Sequence, residues 1–80
     1  MIKEVTKQHV KAWVVAKAGV TNPYKRKWWY ASVTIGYDYS ERGETIEKAY
    51  QALTDHIFQT PFIMGQLTQL ESFKEIWRNN

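Results

Sequence analysis

Four aromatic rings and three cations stand in one unbroken run, Tyr24-Lys25-Arg26-Lys27-Trp28-Trp29-Tyr30. Lysine and arginine neutralise phosphates and release condensed counterions. Aromatic faces stack on unpaired bases, each stack contributing roughly 1–3 kcal/mol. Arg26 adds a planar fork that can grip a phosphate through two bonds or lie on a ring. The mixture suits a nucleic-acid contact. Trp, Tyr and Arg also dominate protein–protein hot spots, so the same run suits an acidic protein groove.

The charge distribution points the same way. Residues 1–30 hold seven basic groups against Glu4, a net of +6, whereas residues 31–80 hold four against seven acids, a net of −3. Such a split aims a basic face at something anionic. The plainer reading is solubilising charge on exposed surface. No RNP pattern, helix-turn-helix signal or Cys/His finger accompanies the basic run.

Other residue types that could do chemistry are isolated. His9 and His56 have no second ligand at helical or loop spacing, so neither builds a metal site. Glu44 and Glu47 sit where a helix should begin, and their ordinary role is to complement its dipole. Ser32, Ser40 and Ser72 have no neighbouring base, and Gly36 and Gly43 do not make a phosphate-cradling loop. The expectation is a non-enzymatic chain without cofactor or metal.

Eighty residues with no cysteine must be held by packing or by self-association, because a core this small is thin. No apolar run reaches the roughly 18 residues of a membrane span, and the first residues lack a secretory h-region. A cytoplasmic location is the simplest expectation. Residues 1–80 read as a single α+β binding domain.

The elements follow from periodicity. Residues 5–18 alternate, with Val10, Ala12, Val14, Ala16 and Ala18 on one side and Lys7, His9, Lys11, Trp13, Val15 and Lys17 on the other. Alternation predicts a half-buried strand. Residues 19–27 contain Gly19, Asn22 and Pro23 and read as a surface loop. Residues 28–39 are aromatic and β-branched and read as a second strand, with Trp29, Ala31, Val33, Ile35, Tyr37 and Tyr39 on its inward face. Matching apolar faces pairs Val14 near Val33 and Ala16 near Ala31 in an antiparallel hairpin. Lys11, Trp13, Lys17, Trp28 and Tyr30 then share its outer face beside the loop.

Residues 40–44 read as a turn. Thr45 can cap a helix over 45–59 whose stripe is Ile46, Ala49, Tyr50, Leu53 and Ile57. Residues 61–67 stay open between strand, loop and helix, with a third strand over 62–67 as the leading variant. Thr68 and Glu71 match a capping box for a second helix carrying Leu70, Phe73, Ile76 and Trp77. The predicted architecture is an antiparallel hairpin, or a three-stranded sheet, packed on two helices in the order β-β-α-α.

The functional expectation is a small binding protein. Its contact residues are Lys11, Trp13, Lys17, Tyr24, Lys25, Arg26, Lys27, Trp28 and Tyr30, and its partner is nucleic acid or a nucleoprotein. The alternative is a protein inhibitor using the same patch against an acidic surface. In size and charge the chain is similar to phage and mobile-element inhibitors of host defence complexes such as CRISPR. A third reading is a structural subunit whose rings, Trp28 and Tyr30 among them, are covered in an oligomer; separately, the 68–78 stripe is a candidate homodimer contact.

Overall fold

A computed structural model describes residues 4–25 and 27–79. The described elements run α1 (Lys7–Lys17), β1 (Gly19–Thr21), β2 (Trp29–Ile35), β3 (Tyr37–Gly43), α2 (Ile46–Phe58), α3 (Pro61–Leu67) and α4 (Glu71–Asn79). The strands form one antiparallel sheet in the order β1-β2-β3. The α+β class and the three-stranded sheet agree with the sequence. The order does not, because a helix precedes the strands.

That helix replaces the strand expected over 5–18. Val10, Trp13 and Val14 are its buried apolar residues, a helical spacing, while Ala12 and Ala16 of the apparent strand face are exposed. The alternation was a coincidence of alanines, which favour helix on an exposed face. A cap decides the start. Thr6 Oγ1 accepts from the His9 amide at 3.4 Å, and His9 Nδ1 accepts from the Thr6 amide at 2.9 Å. This is a capping box with histidine in the place usually held by Glu or Gln. Ala18 is extended and Gly19 opens β1.

The hairpin therefore lies elsewhere. β2 pairs with β3, not with residues 5–18, through Trp29↔Gly43, Ala31↔Glu41, Val33↔Tyr39 and Ile35↔Tyr37. Gly36 turns the chain at φ 78°, a left-handed conformation that glycine adopts without a Cβ penalty. Residues 40–44, expected to turn, mostly continue β3. Their polar run is that of an edge strand with one solvated face rather than a loop. Gly43 serves a close approach. A Cβ there would stand 2.4 Å from the Ala49 amide nitrogen, so strand and helix meet at the backbone.

The inward parity of β2 is as expected. Ala31, Val33 and Ile35 are buried, and Ser32 and Thr34 are exposed. α2 lies on β2 and β3 and also touches α1 and α3. Its cap is Thr45, whose side chain accepts from the Lys48 amide at 3.0 Å. Ala49, Leu53 and Ile57 are buried from its stripe, whereas Ile46 is exposed.

Residues 61–67 are helix rather than a third strand. Pro61 occupies the first turn, where its missing N–H costs nothing, and Thr60 before it is extended as proline requires. Thr68 ends α3 and bonds back to the Gly65 carbonyl, so it does not form the expected box with Glu71. α4 packs against α1. Phe73 is buried, and Ile76 and Trp77 lie partly buried against the same core. The stripe considered for a dimer is thus largely spent within the chain. One apolar cluster, from Val10 in α1 to Phe73 in α4, joins all the helices and β2.

Candidate functional site

The nine expected contact residues divide into two groups. Lys11, Trp13 and Lys17 ride on α1, away from the hairpin's outer face where alternation had put them. Trp13 is only 3% exposed, and its indole N–H donates to Ser72 Oγ at 2.9 Å. It is a core residue tying α1 to α4. Lys11 is paired with Glu47 and Lys7 with Asp55, so the first two turns of α1 are neutralised by α2. A groove of about 290 Å³ lies between these helices, and the buried Thr54 helps line it.

The second group gathers at the β1–β2 connection. Asn22-Pro23-Tyr24-Lys25 is a tight turn in which the Lys25 amide donates to the Asn22 carbonyl at 3.1 Å. Proline at its second position pre-sets φ. Lys25 then takes φ 51°, a left-handed conformation that costs a non-glycine residue about 1–2 kcal/mol. The turn holds the Tyr24 ring out, 73% exposed. Arg26 lies outside the described residues.

Trp28 sits just before β2 and Tyr30 is its second residue. The register sets Tyr30 between Thr21 of β1 and Arg42 of β3. Arg42 is on the outer face with Tyr30, and its Cζ lies 4.6 Å from the centroid of the Trp28 ring. Lys27 Nζ is 5.4 Å from the same ring and 3.5 Å from Glu44. Trp28 thus has two cations against it, each contact contributing on the order of 0.5–1 kcal/mol at an exposed site. Asn22, Pro23, Tyr24, Trp28, Tyr30 and Arg42 line one shallow cup of about 250 Å³.

Arg42 was the residue that sequence reasoning missed. In sequence it falls in a stretch that reads as a turn, and only cross-strand pairing puts it beside Tyr30. Trp29, adjacent in sequence, points to the other face and packs against the core, as alternation requires.

Chemically the cup offers ring faces, one fixed guanidinium and nearby ammonium groups. No cluster of His, Cys, Asp or Glu able to hold a metal occurs among the described residues. The cup is smaller than the roughly 300–1,000 Å³ of small-molecule sites. It can take one unit of a larger partner rather than enclose a whole substrate. No described helix is long and apolar enough to cross a membrane. The chain matches no protein-family model, and no curated protein or solved structure is similar enough to count as a match.

Proposed function

We propose that this chain is a one-domain, non-enzymatic binding protein that engages nucleic acid, bare or within a nucleoprotein, through the cup at the β1–β2 connection. One observation carries the reading. Tyr24, Trp28, Tyr30 and Arg42 converge on a single concavity, with Lys27 against the Trp28 ring, while the cations of early α1 are neutralised by α2. Of the described cations in the first thirty residues, Lys7, Lys11 and Lys27 face carboxylates, and Lys25 stands unpaired beside the exposed Tyr24 ring. Phosphate contacts from Lys25, Arg26, Lys27 and Arg42 would supply most of the affinity, with little dependence on base sequence. Such a partner fits a cytoplasmic place of action.

The test is fluorescence anisotropy of a labelled oligonucleotide at several salt concentrations. Replacing Lys25, Arg26 and Lys27 together with alanine should flatten the plot of log affinity against log salt. On a single strand the slope should fall by about 0.7 for each phosphate no longer neutralised. Replacing Lys7 and Lys11 with alanine should leave the slope unchanged. If the unaltered protein binds no oligonucleotide at low salt, the reading fails. The same patch would then be pursued as the contact of a protein-directed inhibitor.

A further inference from the structure

The acids nearest Arg42 in sequence are both engaged elsewhere. Glu41 points to the opposite face, where it accepts from His56 Nδ1 at 2.7 Å. Glu44 faces Lys27 at 3.5 Å. Among the described residues no carboxylate lies within ion-pair range of Arg42. Its guanidinium is held over the Trp28 ring instead. A ring face attracts the positive charge but accepts few of the five N–H donors that a guanidinium carries. The side chain is therefore pre-positioned while much of its hydrogen-bonding capacity is left for an acceptor from outside. Pre-positioning lowers the entropy cost when that acceptor arrives.

The surroundings indicate which acceptor. Tyr24 presents an exposed ring at the rim of the same cup, and Tyr30 stands beside Arg42 across the β2–β3 ladder. An anion on Arg42 is then adjacent to a flat apolar face. A nucleotide of a single strand has that shape: a phosphate joined through a sugar to a base whose faces can be unstacked. A base in a duplex has both faces covered by its neighbours, so the rings would gain nothing from it.

Resting on the nucleic-acid reading above, we infer that the cup recognises one nucleotide of a single strand, with Arg42 forking the phosphate and Tyr24 stacking the base. Arg42 is then the residue that sets the preference for single over double strands, because it fixes the phosphate at the distance from which the base reaches the ring. Lysine is a poor substitute, since it has no fork and stacks less well on tryptophan.

Anisotropy with three labelled probes separates the possibilities: oligothymidylate, an abasic strand of equal length, and a duplex of the same length. The unaltered protein should bind oligothymidylate at least about tenfold more tightly than the abasic strand, the range expected for one base–aromatic stack. The duplex should also bind more weakly. Arg42→Lys and Arg42→Ala should both weaken binding of oligothymidylate about tenfold or more, as for removal of a charge-assisted hydrogen bond. Tyr24→Ala should bring the intact and abasic strands together. Circular dichroism of each variant confirms the fold, which an exposed Arg42 and an exposed Tyr24 should leave intact. Equal binding of all three probes, or an Arg42→Lys protein that binds as the unaltered one does, would overturn the inference while leaving salt-dependent nucleic-acid binding in place. Failure of every probe at low salt would remove the wider reading and this one with it.

Discussion

At the α1–α2 face, Lys7 and Lys11 close onto Asp55 and Glu47, and Trp13 of the same helix lies in the core with its N–H satisfied by Ser72. At the far end of β1, Lys25 and Arg42 have no carboxylate partner among the described residues, and Trp28 is half-buried between cations. The same residue types meet opposite fates. What separates them is the element that carries them. A helix packed along a second, acid-bearing helix pairs the lysines of its first two turns, Lys7 and Lys11. Of the described cations around the sheet connection, Lys27 faces Glu44, whereas Lys25 and Arg42 have no carboxylate partner and remain available to an outside one. Composition marks both regions as basic and aromatic, and only packing distinguishes support from contact.

The sharpest test of that contrast is a pair of truncations. Trp13→Ala should cost about 3–5 kcal/mol, as large-to-small changes in a core do. That is a large share of the total stability of roughly 4–12 kcal/mol expected of a chain this size, so thermal melts followed by circular dichroism should show Tm lowered by at least about 12 °C. Trp28→Ala should cost about 1–2 kcal/mol, the sum of its two cation–π contacts, yet remove most oligonucleotide affinity. Similar drops in melting temperature for the two would erase the distinction between the regions.

A second substitution acts at the seam. Gly43→Ala would thrust a methyl group onto the Ala49 amide and the Lys48 carbonyl carbon, 2.4 and 2.5 Å away. Relief requires β3 and α2 to separate, at a cost on the order of 1–3 kcal/mol. Each kcal/mol should lower Tm by about 4–8 °C in a domain of this size. Because Arg42 precedes Gly43, affinity should fall even where the protein is still folded. An unchanged Tm would mean that the backbone contact is looser than it stands.

The smallest effect should come from the turn. Lys25→Gly relieves the left-handed strain but adds freedom to the unfolded chain, so a net gain of a few tenths of a kcal/mol is expected. Urea unfolding should show a higher midpoint at unchanged slope. Binding should weaken slightly, through removal of one charge. A stabilised protein with unaltered affinity would take Lys25 out of the contact.

β2 and α2 could be read from sequence, whereas β1 was hidden in a stretch that read as a loop and β3 largely in one that read as a turn. Ala31, Val33 and Ile35 alternate inward, Ser32 and Thr34 outward, and Thr45 precedes a stripe that Ala49, Leu53 and Ile57 fulfil. α1 could not. Val10 and Val14 satisfy a period of two and a period of 3.6 alike, and a histidine in the capping box hides the start signal. The loop half of the site was visible because Tyr24 to Tyr30 are contiguous. Arg42 was invisible because its place depends on strand register, which a polar edge strand does not announce. Trp13 was misassigned with its element, since a one-residue change of face exchanges a contact for a core position.

The bond from Trp13 to Ser72 joins residues 59 positions apart, and it bears on the order in which the molecule assembles. β2, β3 and α2 are consecutive in the chain and meet across short turns, the first of them at Gly36. Bringing α1 to α4 instead closes a long loop, an entropic cost of roughly 3–4 kcal/mol plus a constant. The strand pair that carries Arg42 and Tyr30 can therefore form early, from local contacts alone. The first and last helices then dock as a late clasp, and the rate of reaching the finished fold is governed by that distant meeting more than by the site itself.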